Sequence, residues 1–167
     1  MIDMYFKRPI VYDYTFSCII CALCYKLVLK KSIVLPDVSF TISTATDICT
    51  IALTMAGFIL TLLTVLITFK SGSKVTKSSF TENDTVFDAF FATDYYFITT
   101  RHLRNGIKSL TFIALLGYSL KLFLHKEHHQ LIFYFNILGL LIIAFTIGRS
   151  LLILSKVINL QKEEEKD

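Results

Sequence analysis

Three cysteines, Cys18, Cys21 and Cys24, form the pattern CxxCxxC, and a fourth lies at Cys49. Thiolates so spaced can hold an iron–sulfur cluster, but such a cluster takes four ligands. Here the three sit in an apolar run with no fourth beside them, so small apolar side chains are the expected role. Thiol–disulfide exchange at a membrane surface would need a second cysteine pair in another loop. The polar turn HKEHH offers none. That turn gathers His125, Glu127, His128 and His129. Imidazole and carboxylate together suit a transition metal, and histidine titrates near pH ~6.5. A short polar turn at a headgroup layer is the commoner use. No nucleophile–base pair, P-loop or zinc-protease motif occurs. The expectation is therefore no enzyme, no cofactor and no bound metal.

The strongest pattern is one of hydroxyls. Thr46, Thr50, Thr54, Gly57, Thr61, Thr64 and Thr68 recur every three or four residues. That spacing matches the helical repeat of roughly 3.6, so they form one stripe down a helix. Small and hydroxyl residues on one face let helices approach closely and hydrogen-bond. The same stripe could instead line a pore in an oligomer, where a threonine oxygen replaces part of an ion's hydration shell without adding charge. Helix packing and pore lining both remain open for Thr50, Thr54, Gly57, Thr61, Thr64 and Thr68. A second set, Asn136, Gly139, Ala144 and Gly148, reads as helix packing. Ala144 and Gly148 form a small-xxx-small pair, which favours a close helix contact.

These residues need long helices to carry them. A bilayer core of ~30 Å needs ~20 consecutive apolar residues in a helix. Residues 48–69 and 130–148 contain no charge. Two further spans are expected at 10–29, which contains Asp13 and Lys26, and at 107–124, which contains Lys108 and Lys121. Lysines near helix ends can extend their ammonium groups to the interface. Lys121 and Arg149, which closes the span 130–149, are accordingly expected as interface anchors. Hydrophobic residues form 54% of the 167-residue chain and charged ones 18%. Soluble domains carry more charge, roughly 25%. The fold class expected is all-α: an integral membrane four-helix bundle with a cytoplasmic helical loop, forming a single domain over 1–167.

Four spans put both termini on one side. Eleven lysines and arginines fall there, in the N-terminal stub, the middle loop and the tail, against Lys26, Lys30, Lys31, Lys121 and Lys126 opposite. The positive-inside rule then places both termini and the loop 70–106 in the cytoplasm, in the inner (cytoplasmic) membrane, with 150–167 as a cytoplasmic tail. The basic residues flank apolar spans and form no stripe, so direct nucleic-acid binding is not expected. In the loop, Ser79 and Glu82 have capping-box spacing. Acidic residues then precede Arg101 and Arg104, and Asn105-Gly106 reads as a stop. The expectation is a helix over 82–104 bearing Phe87, Phe90, Phe91, Tyr95, Tyr96 and Phe97. These aromatics either pack on their own bundle and the membrane interface or form a docking face for a protein partner.

Size, span count, the loop before the third span and the segment TMAGFILTLLTVLITFKSG (54–72) resemble small four-span membrane proteins of bacterial anti-phage systems. These include the Kiwa membrane subunit and the membrane accessory proteins of RNA-guided RNA nucleases. The resemblance implies a homo-oligomer that senses infection or perturbs the membrane together with a cytosolic partner. The functional expectation is an oligomeric effector or pore-forming subunit. The alternative is a scaffold or sensor that recruits a cytosolic protein through its loop and tail.

Overall fold

The computed structural model describes residues 8–72, 90–91, 94–124 and 128–164. Four helices account for nearly all of them: α1 Pro9–Leu29, α2 Val38–Gly72, α3 Asp94–Phe123 and α4 His129–Glu164. No strand occurs among the described residues. Each helix is long and apolar enough to cross a bilayer, and in hydrocarbon a helix satisfies its own backbone polar groups. The chain is a multi-pass, all-α membrane protein. With a helical rise of about 1.5 Å per residue, α1 reaches ~31 Å, matching one hydrocarbon core. α2 and α4 are longer, at 35 and 36 residues. They reach ~53 Å by the same rise and extend beyond the core.

Local chemistry sets the helix ends. Pro9 occupies the first turn of α1, where its missing N–H would have had no partner. α1 closes with Lys31 in the left-handed region at φ 55°. There the Lys31 N–H donates to the Val28 carbonyl and the Ser32 N–H to the Leu27 carbonyl. Two terminal carbonyls are thereby satisfied. The Asp37 carboxylate, just before α2, accepts from the Ser39 N–H at 3.3 Å and the Ser39 hydroxyl at 2.6 Å. Ser39 to Thr46 consequently form the opening turns of α2, ahead of the charge-free stretch.

The core lies between α2, α3 and α4. α2 contributes Ala45, Ile48, Cys49, Ala52, Ala56 and Ile59; α3 contributes Leu103, Leu110 and Ile113; α4 contributes Phe135, Ile142 and Ile143. Lipid tails are as apolar as these side chains, so close packing must hold the helices together. Gly117 shows how close it is. A Cβ there would meet the Cys49 sulfur and come within 2.7 Å of the Phe135 ring. α1 packs chiefly on α4.

One sequence expectation fails here. Asn105-Gly106 does not end a helix: α3 runs unbroken from Asp94 to Phe123. Residues 94–106 therefore belong to the third span's helix and not to a separate loop helix. Glycine inside a helix costs only about 1 kcal/mol. At Gly106 that cost is set against packing, since a Cβ would lie 3.1 Å from the Thr146 methyl. The expected cap at Ser79 and Glu82, and Phe87, lie outside the described residues.

Candidate functional site

α1 and α3 start, and α2 and α4 finish, at the same end of the bundle, called here the proximal end. Asp13 lies one turn into α1, and its neighbours outward on the helix, Val11, Tyr12 and Phe16, are exposed on the protomer surface. Its carboxylate turns inward and accepts from Arg149 Nη1 at 2.6 Å. Both side chains are almost fully buried, at 4% and 2% exposure. Arg149 is thus not a headgroup anchor as its place at the end of the span suggested. It stays inside because a carboxylate of α1 meets it at the same depth. A lone charge in this position would be costly, while the pair lowers that cost by mutual attraction.

Further polar contacts involve α1. The Tyr14 and Ser109 hydroxyls share a hydrogen bond of 3.0 Å that ties α1 to α3. Ser17, fully buried, donates to the Asp13 carbonyl of its own helix at 2.8 Å. On α3, His102 is buried within electrostatic reach of Arg149 and Arg101. Beside it a cavity of about 230 Å³ opens between the start of α1 and α3, lined by Arg8, Ile10, Val11, Arg101, His102 and Asn105. Along the sequence Asp13 and Arg149 stand as two separate charges near the ends of different spans, so the cluster is not visible there residue by residue. The available signal was topological: with four spans, the start of the first and the end of the fourth share a side.

The threonine stripe sits on the opposite kind of surface. Thr50, Thr54, Gly57, Thr61, Thr64 and Thr68 are all exposed on the protomer. At about 100° per residue, their direction lies roughly 150° from the buried face of α2. Each threonine hydroxyl donates to the carbonyl four residues back, at 2.9–3.1 Å. The donor is therefore used, and the oxygen lone pairs and methyl groups point outward. Nothing lies within 4 Å of a Cβ built on Gly57. From Thr50 to Thr68 the stripe stays exposed on its own protomer, while Thr46 at its start meets Lys121 of α3.

The remaining residues divide. Asn136 is buried and its amide donates to the Thr41 carbonyl at 2.9 Å, joining α4 to α2. Gly139 admits Ile48, whose methyl would lie 2.9 Å from a glycine Cβ. Ala144 and Gly148 face out of the protomer, with open space at Gly148. Lys121 donates to Thr46 Oγ1 at 2.7 Å, tying α3 to α2 at the far end. Phe91 and Tyr96 are buried in the core with half-buried Phe90 against them. Lys70 donates to the Phe91 carbonyl at 2.7 Å and lies 6.0 Å from the Tyr96 ring centre. Tyr95 and Phe97 remain exposed. The described cysteines are free thiols, and among the described residues no three metal-ligating side chains gather. His125 and Glu127 lie outside the described residues.

No family model, no curated protein and no solved structure matches the chain.

Proposed function

We propose that this protein is an oligomeric membrane subunit that passes ions or perturbs the bilayer, with the threonine face of α2 turned toward other copies around a central path. The observation that carries the reading is that α2 turns its threonine column out of the protomer, where it runs between exposed apolar side chains such as Ile51, Phe58 and Leu60. A column of small and hydroxyl residues is suited to a neighbouring helix or to water. With their protons committed to the backbone, these oxygens present acceptors only. Such a surface can solvate a cation without carrying charge. Outward-facing Ala144 and Gly148 offer α4 a second close-packing surface toward a neighbouring protomer. The positive-inside count favours the cytoplasmic membrane with both termini inside. The resemblance to anti-phage membrane proteins favours a role in defence.

The test is ion flux through purified protein in liposomes, with the mass of the detergent-solubilised particle measured alongside. Replacing Thr54, Thr61 and Thr64 together by valine keeps shape and removes the oxygens. The expected result is an intact oligomer that has lost its flux. Unchanged flux from an intact oligomer would remove the stripe from the conducting path.

A second reading, a scaffold that recruits a cytosolic protein, draws on Tyr95 and Phe97. These two stay exposed at the start of α3 while Phe91 and Tyr96 are used in the protomer's own core. Changing Tyr95 and Phe97 to serine should then abolish capture of that partner and leave flux unaltered.

A further inference from the structure

We propose that the cavity at the proximal end binds the phosphate of an anionic membrane lipid. Its walls bring together Arg8, at the start of α1, and Arg101, about two turns into α3, with Asn105 and His102. Guanidinium forks bind phosphate oxygens through paired, charge-assisted hydrogen bonds. The start of α1 adds to this. Arg8 precedes the helix without a side-chain cap, and the first turn carries no acidic residue. Ile10 and Val11, in that first turn, line the same cavity. Their backbone N–H groups therefore stand at the positive end of the helix dipole. The nearest carboxylate along α1, Asp13, is already engaged by Arg149 and does not line the cavity.

Size and surroundings select a lipid as the source of the phosphate. Sites that enclose a whole small molecule run from roughly 300 Å³ upward. This cavity, at about 230 Å³, is smaller. It suits a headgroup whose remainder lies elsewhere. The cavity is open on one side, and Val11, one of its lining residues, is 57% exposed. Tyr12 and Phe16 on α1 and Ile98 on α3 are exposed apolar side chains of the same two helices. An acyl chain can therefore run along α1 while its phosphate stays in the cavity. Basic pockets between helices at a membrane surface are suited to such headgroups.

The test is native mass spectrometry of the full-length protein in a neutral detergent, titrated with phosphatidic acid, phosphatidylcholine or inorganic phosphate. Phosphatidic acid should be retained at least about tenfold more tightly than phosphatidylcholine. Arg8→Gln and Arg101→Gln should each lose about tenfold, the scale of one good charged contact. Arg104→Gln removes the same charge from an exposed position of α3 outside the cavity and should bind as the parent does. Arg8 is itself exposed at the end of a helix, so its variant keeps the fold, which elution volume checks. Equal loss in all three variants would reduce the effect to bulk charge and overturn the site. Binding of inorganic phosphate alone, at concentrations that displace the lipid, would overturn the lipid and assign the cavity to a soluble anion.

Discussion

Helices α1 and α2 are built inside out with respect to one another. α1 hides its polar residues, Asp13 and Ser17, against the bundle and shows the bilayer Val11, Phe16, Ile19 and Leu23. α2 hides alanines, isoleucines and leucines and shows a column of threonines set among exposed Ile51, Leu53, Phe58 and Leu60. Within lipid the first arrangement is complete, because its inward polar groups have protein partners and its outward apolar groups match their solvent. The second also satisfies its hydroxyl donors on its own backbone, but its outer face carries a column of acceptor oxygens among the apolar groups. The contrast is what the proposal rests on: the bundle ends at α1, and in the proposed oligomer it would continue past α2.

Breaking the polar anchor of α1 should have the largest effect. Arg149→Leu leaves the Asp13 carboxylate buried without its ion partner, a loss of about 3–5 kcal/mol. The measurement is unfolding by dodecyl sulfate in mixed micelles. Converting both Asp13 and Arg149 to leucine should restore stability to near the parent, because an apolar pair needs no desolvation. If the double variant stays as unstable as the single, the pair does more than neutralise itself. Next comes the inner face of α2. Gly117→Val forces a side chain against Cys49 and Phe135. Overpacking of this kind should cost about 1–3 kcal/mol in the same assay. Tyr14→Phe removes one hydroxyl contact to Ser109. Its expected cost is about 0.6 kcal/mol, the average for such bonds between membrane helices. The smallest change in unfolding is expected from the triple threonine-to-valine variant, whose side chains are all exposed on the protomer.

Much of this architecture is legible in the sequence. Charge-free runs of membrane length mark α2 and α4, and the threonine period marks a face before any helix is seen. Which way that face points is not legible, because the period of Ala45, Ala52, Ile59 and Leu66 along the same helix is equally helical. Apolar residues surround both faces, and only the positions of α3 and α4 decide between them. Asn105-Gly106 misleads for a related reason. Its turn-forming tendency is local and worth about 1 kcal/mol. The contact of Gly106 with Thr146 on α4 is tertiary. The Asp13–Arg149 pair joins residues 136 positions apart. Its members look like two separate interface charges until the topology puts them at one depth.

The central claim, that α2 continues into a neighbouring copy, is tested most directly by disulfide cross-linking in native membranes. The four native cysteines are replaced by alanine, and a single cysteine is placed at Thr61 on the stripe or at Leu115, which is 62% exposed on α3 away from it. Thr61→Cys is expected to give a covalent dimer under mild oxidation while Leu115→Cys stays monomeric. Monomer at both positions, from protein shown to reach the membrane, would mean that the threonine face looks onto lipid and would contradict the claim.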